Sequence, residues 1–392
     1  MNHSLAQEMI ATRLGNVFSS DRAVRRFPTH IGDAYQFTLR VLPYLKGFAY
    51  LIPMPDAYVP GAKTCEWLLV DSGCGDDDSN ADLEAALRTV HDEFDPSFRP
   101  EKIKRIFLTH AHIDHFGGAS FIQKLTKCDI WTHAFDSRVV TNYDDCARVE
   151  NRRYAFFLRE SGVPEEMISQ VLEGFGFRPG RAKHVEVSRR LFGNERWGEA
   201  QFLYLPGHSP GCLALKLGAL IFTGDVILSK TLTQIWPQRM TPQTGMVNYL
   251  RSLRKIVELQ KNQERTEEPL LALPAHEEPI INLTERIKCI CDGMNRRNHR
   301  LIRLLLDAEY PMTLLEIANQ MYWTGRPNRE FFALSDVASR VEFLLLNGRI
   351  DVAQTERLSD ACPALLYHAS LPNAKPTENT IQDVFGMDLA CD

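Results

Sequence analysis

The segment from Leu108 to Gly118 carries His110, His112, Asp114 and His115, three imidazoles and a carboxylate packed into one short stretch. In an extended loop leaving a buried strand, side chains two apart point the same way, so His110 and His112 can hold one cation. As the chain turns into a helix at Gly117-Gly118, Asp114 and His115 swing toward a second. Neutral imidazoles with carboxylates suit zinc, with iron or manganese acceptable, better than calcium or magnesium. Two cations roughly 3.5–4 Å apart lower the pKa of a bridging water toward 7 and polarise a carbonyl or phosphoryl oxygen. Such a site hydrolyses; it needs no Ser or Cys nucleophile, and no local motif signals one. Asp114 and Asp225 are the expected catalytic, proton-handling groups.

These residues need rigid elements behind them. Short β-rich apolar runs recur from residue 34 to about 280, and chemistry-bearing residues follow them. Ile103 to Leu108 precedes the histidine cluster, and Trp67 to Val70 precedes Asp71. Phe202 to Leu205 leads to His208, Leu220 to Phe222 to Asp225, and Leu270 to Leu273 to His276. Between 134 and 193 the pattern turns helical, and an insertion between ligand-bearing strands would roof the site. His133, alone at a strand end, is expected to be structural.

These five strand ends together resemble the metallo-β-lactamase superfamily from roughly residue 37 to 285. The resemblance implies a four-layer αββα sandwich of α/β (α+β) class with the site along one edge of its two sheets. It also implies that His110, His112 and His208 bind a first metal and Asp114, His115 and His276 a second, with Asp225 bridging. Asp71 matches the position whose carboxylate orders the ligand loops by hydrogen bonding. Two departures stand out: Ser209 where Thr is common, and Glu277 after His276 where Gly is common. The second bears on the pocket and hence on substrate.

After residue 285, helical segments are expected at 295–308, 313–322 and 335–346, with Thr313 and Glu316 at capping-box spacing. Short strands at 349–353 and 364–368 complete an order that resembles a winged helix. The organisation expected is an N-terminal extension over 1–33, helical or irregular, a catalytic domain over 34–285, a small helical winged-helix-like domain over 286–370, and a tail over 371–392.

The 392 residues carry a formal net charge of -5 and no Lys/Arg block, which argues against unspecific nucleic-acid binding. Nine scattered cysteines suit a reducing cytoplasm, and no apolar run is long enough to cross a membrane. The favoured activity is hydrolysis of a small-molecule ester, thioester or lactone with two divalent ions, most simply Zn2+. A lactamase-like group with a similar C-terminal domain includes a mitochondrial endoribonuclease, so cleavage of single-stranded RNA is the rival, with Arg296, Arg297, Arg300 and Arg303 as a basic stripe. A mononuclear iron persulfide dioxygenase is a lesser alternative. The apolar helix faces of the C-terminal region also allow a homodimer.

Overall fold

The computed structural model describes residues 23–29, 31–43, 45–54, 66–175, 178–264, 268–322, 330–353 and 364–370. A seven-stranded sheet runs in sequence order through β1 (Val24–Thr29), β2 (Gly32–Leu42), β3 (Leu45–Pro53), β4 (Trp67–Val70), β5 (Ile103–Phe107), β6 (Asp129–His133) and β7 (Arg189–Leu191). Its first four strands pair antiparallel and β4 to β7 pair parallel. A five-stranded sheet has the order β12-β11-β10-β9-β8, where β8 is Arg196–Trp197, β9 Ala200–Tyr204, β10 Leu213–Leu217, β11 Leu220–Gly224 and β12 Leu271–Pro274.

Alternation along the strands builds three cores from these two sheets. Leu68 and Val70 face the second sheet, while Trp67 and Leu69 face helices on the outer side. Between the sheets, Tyr50 meets Phe222 edge-on at 5.0 Å and Phe107 meets Phe202 at 5.1 Å. Truncating Phe107 to Ala there would cost about 3–5 kcal/mol. Outside the first sheet lie α1 (Asp77–Thr89), started by the Asp76 carboxylate accepting the Ser79 amide at 2.8 Å, then α2 (Ile113–Phe116) and α3 (Ala119–Thr126). The insertion supplies α4 (Ser137–Thr141), α5 (Tyr143–Glu160) and α6 (Glu165–Phe175). It ends in a strand, β7, that rejoins the sheet beside β6.

The outer face of the second sheet packs on α7 (Gly245–Glu264) and α8 (Leu283–Asp307). Beyond them come β13 (Met312–Thr313), α9 (Leu314–Tyr322), α10 (Glu330–Leu346), β14 (Ile350–Val352) and β15 (Leu366–Ala369), the strands forming a third sheet, β13-β15-β14. The expected capping box forms: the Thr313 amide donates to Glu316 at 2.7 Å and the Glu316 amide to the Thr313 hydroxyl at 3.2 Å.

Two expectations need correction. The segment to residue 33 is not wholly an extension, because Val24–Thr29 pairs with β2 and extends the first sheet. Its Arg25 is buried because Glu278, far away in sequence, accepts from it at 2.6 Å. The boundary at 285/286 falls inside α8, which starts at Leu283, not 295, with the Asn282 side chain accepting from the Glu285 amide at 3.1 Å. Ile221 and Ala272 of the second sheet, Tyr249 and Leu253 of α7, Ile287 and Met294 of α8 and Val341 of α10 share one apolar cluster. Residues 1–22 and 371–392 lie outside the described residues.

Candidate metal centre

Every expected ligand follows the C-terminal end of a strand, so the two sheets deliver them to a common edge. The His110–His115 loop follows β5, His208 follows β9, Asp225 follows β11 and His276 follows β12. Within this cluster His110, His112 and His208 form one donor trio, Asp114, His115 and His276 another, and His110, His115 and Asp225 a third; in each, the donor atoms lie within 4.8 Å of one another. His110 Nε2 and His208 Nε2 both lie 3.0 Å from His112 Nδ1. On the other side, His276 Nε2 is 3.3 Å and His115 Nε2 3.8 Å from Asp114 Oδ2. Asp225 stands between: its Oδ2 is 3.5 Å from His208 Nε2 and 3.6 Å from His115 Nε2, and its Oδ1 is 3.6 Å from His276 Nε2.

The outer ring nitrogens are held by the protein. His115 Nδ1 donates to Asp71 Oδ2 at 2.9 Å, His208 Nδ1 to the Gln234 carbonyl at 2.7 Å, and His276 Nδ1 to the Lys46 carbonyl at 2.8 Å. An imidazole that donates outward presents its other nitrogen's lone pair inward, as a metal ligand must. Inside, His115 Nε2 and Asp225 Oδ1 are buried without a hydrogen-bond partner, an arrangement costly to bury unless a cation satisfies it. The donor set therefore fits divalent metal.

Charge separates the two halves. Burial, reinforced by its histidine neighbours, pushes His112 down to about 3 and His110 well below the ordinary imidazole range. Burial also presses on His276, but Asp225 and Asp114 outweigh it and lift the imidazole to about 9. His115 is likewise raised, with Asp225, Asp114 and Asp71 overcoming burial. Burial would raise the Asp225 carboxyl, yet His276, His115 and His208 hold it well below the usual carboxylate range.

Asp71 is buried and accepts hydrogen bonds from Thr109 and His115 of the ligand-bearing loop. Its Oδ1 accepts the Thr109 amide and its Oδ2 the Thr109 hydroxyl, both at 2.8 Å, in addition to His115. Its backbone is left-handed, φ 57°, which lets the carboxylate turn back across the His110 loop. Sequence reading missed a counterpart, Asp136, which lies just beyond β6. Its buried carboxylate accepts the Ala111 amide at 2.8 Å and lies against Gly211, bringing the His112 loop up to the His208 loop. A Cβ on Gly211 would come within 2.3 Å of Asp136 Cγ, so only glycine admits this approach. The sequence signal was one more acid after a strand, beside the more conspicuous His133. That histidine stacks on Tyr204 at 4.4 Å and accepts the Phe135 amide at 3.1 Å, a structural role.

Glu277, where glycine was expected, has φ 64° and uses its carboxylate on the loop after Leu228. It accepts the Thr231 amide at 3.1 Å and hydroxyl at 2.7 Å, and the Lys230 amide at 2.5 Å. Leu228, Thr231 and Glu277 thereby form a fixed wall of a cavity of ≈450 Å³ that opens over Asp114, Asp225 and His276. The insertion contributes Tyr143, Tyr154 and Arg181 to its lining, and α10 contributes Phe331 and Phe332.

Two packed sheets between helices, with imidazoles and carboxylates converging at one edge, define a metal-dependent hydrolase. The chain belongs to the metallo-beta-lactamase superfamily, whose family model matches residues 63–262. A metallo-beta-lactamase family protein from Thermus thermophilus shares the fold at TM-score 0.64 and 21% identity, over 86% of this chain and 98% of that one. A beta-lactamase domain protein from Burkholderia ambifaria superposes with TM-score 0.68 at 19% identity, over 90% and 97% of the two chains. A comparison with curated proteins found no match.

Proposed function

We propose that the protein hydrolyses a small-molecule carboxyl derivative, an ester, thioester or lactone, with two divalent cations. The observation that carries this is Asp225, whose two oxygens face the two donor trios at the floor of a bounded cavity. His110, His112 and His208 would hold one cation and Asp114, His115 and His276 the other, with Asp225 shared. When bound, the cations supply an activated water and polarise the carbonyl oxygen. Zinc suits the donor set, with iron or manganese as alternatives.

The chain's own residues handle the rest. Asp71, the Gln234 carbonyl and the Lys46 carbonyl orient three of the imidazoles. Asp114 and Asp225, held ionised by their histidines, are the carboxylates at the centre that could accept the water's proton in passing. Water's oxygen ends on the acyl carbon, the bond to the leaving oxygen or sulfur breaks, and the proton passes to that atom. A pair of intact trios favours two cations over the single iron of a persulfide dioxygenase.

The helix-strand-helix-helix-strand-strand order from α8 to β15 supports reading the C-terminal region as winged-helix-like. Of its cations, Arg296, Arg300 and Arg303 are exposed, but two others are committed within the protein. Arg340 is buried on Asp336 at 2.8 Å, and Arg297 turns to Asp336 at 3.7 Å and to the Tyr322 ring. In the insertion, Arg148, Arg153 and Arg159 pair with Asp145, Glu150 and Glu165. No helix of the described residues is long and apolar enough to cross a membrane, and free cysteines such as Cys74 and Cys212 support the cytoplasm as the protein's place.

The test is turnover by metal-quantified protein on acyl thioesters, aryl esters, lactones and single-stranded RNA, with Asp225→Ala as control. Metal-dependent cleavage of a carboxyl derivative, lost in the variant, is expected. RNA cutting with no carboxyl turnover would sink the reading.

A further inference from the structure

A second cavity, of ≈370 Å³, adjoins the first. It reaches His112 and His208 but none of Asp114, His115 or His276, so it approaches the centre from the side of the first trio alone. Its walls are largely apolar: Val139 of α4, Val149 of α5, Pro210 beside His208, and Pro242 ahead of α7. The charges on its lining are mostly engaged. Arg153 pairs with Glu150 at 2.9 Å, Asp136 is occupied by the Ala111 amide, and Arg138 is exposed. Both cavities lie within the size range of small-molecule sites, about 300–1,000 Å³.

Four residues border both cavities: His112, His208, Tyr154 and Trp236. Tyr154 and Trp236 stack with ring centroids 6.0 Å apart and planes 17° apart, forming a ridge where the two spaces meet. A carbonyl carbon attacked beside His112 and His208 carries its acyl substituent and its leaving group in different directions. The two cavities give each a room. A lactone joins both substituents in one ring and would use a single space.

We infer that the second cavity is a substrate-binding site for one apolar arm of an acyclic ester or thioester, whose other arm occupies the larger cavity beside Asp114 and His276. This rests on the reading of the protein as a hydrolase of carboxyl derivatives. The scaffold's insertion helices set the length and shape of the first arm, and Leu42, Leu45, Leu228 and Phe331 those of the second.

The experiment uses the full chain with quantified metal and two ester or thioester series. One lengthens the acyl arm from acetyl to octanoyl with a fixed leaving group; the other lengthens the leaving group with a fixed acyl arm. Each methylene that becomes buried is worth about a fourfold gain in kcat/KM, so both series should climb until their cavity is filled. Val149→Trp fills the second cavity from a half-open helix position, and should cut the long-to-short preference about tenfold in one series and not in the other. Climb in one series only, equal flattening of both, or lactones outrunning every acyclic substrate would overturn the inference while leaving the hydrolase reading intact. No turnover of any carboxyl derivative would overturn both.

Discussion

Asp71 and His115 meet through a 2.9 Å hydrogen bond in which Nδ1 donates to Oδ2, with both side chains buried. The same carboxylate fixes Thr109, so one group sets the ring orientation of His115 and the path of the His110 loop. Asp71→Asn isolates this effect, because Asn tolerates the left-handed backbone but presents an N–H2 to donors. Loss of such an outer partner typically weakens metal affinity about 10–100-fold. Cation titration should show that loss, concentrated on the group of Asp114, His115 and His276. Unchanged affinity with a lowered Tm would reduce Asp71 to a fold-stabilising role.

Asp136 makes the parallel prediction for the other trio. Asp136→Ala frees the Ala111 loop from the loop around Gly211, leaving the Ala111 amide buried and unpaired at about 1–3 kcal/mol. Metal in the His110, His112 and His208 group should be lost first, visible with Co2+ as a change in the absorption of one of two sites. Equal loss at both would argue for general unfolding.

These two carboxylates mark what the sequence could and could not reveal. The seven candidate donors and Asp71 carried local signals: the spacing of His110, His112, Asp114 and His115, and the apolar runs that precede Asp71, His208, Asp225 and His276. Asp136 was not legible, since the Ala111 amide that needs it and the Gly211 backbone it lies against belong to loops following β5 and β9. The strand over Val24–Thr29 was hidden by Arg25, whose burial makes sense only with Glu278 beside it. For α8, Leu283, Ile287, Ile290 and Met294 already carry a helical period, but the strand-rich stretch before them masked its start. Strands of two residues, β8 and β13, are too short to carry any period.

Glu277 adopts a left-handed backbone at a cost of about 1 kcal/mol or more for a non-glycine residue. Glu277→Gly would relieve that strain while freeing Lys230 and Thr231. The opposing terms should leave global stability within about 1–2 kcal/mol, whereas the Lys230 and Thr231 amides should exchange with solvent much faster. Unaltered exchange would show that Arg286, which donates to the Leu228 carbonyl at 2.6 Å, holds the loop alone.

The C-terminal helices are tied to the centre by more than the shared core. The Gln234 carbonyl holds His208, while its side chain donates to the Ser335 hydroxyl at 2.8 Å. Glu342 of α10 accepts the Gln238 and Arg239 amides at 2.7 and 2.9 Å. A chain ending at residue 282 would strip Ile287, Met294 and Val341 from the apolar cluster they share with Leu250 and Leu253 of α7. It should collect as aggregate or bind a hydrophobic dye strongly; a soluble, cooperatively melting product would mean that the residues before α8 are self-sufficient.

Proton release distinguishes the two halves of the centre. In the metal-free chain His276, at about 9, is protonated at pH 7, and His115 is raised as well. A cation entering that group must displace protons, because only neutral imidazole binds metal. As pH falls below 9, the proton displaced from His276 should lower its affinity by about tenfold per unit, and above 9 that contribution should level off. His112, pushed down to about 3, and His110 and His208, also lowered, are already neutral at pH 7, so the first group should bind with little pH dependence from pH 7 upward. Calorimetric titration in buffers of different ionisation enthalpy counts the protons directly. At least one should leave with the weaker cation and close to none with the tighter; equal counts would mean that the carboxylates do not divide the centre in this way.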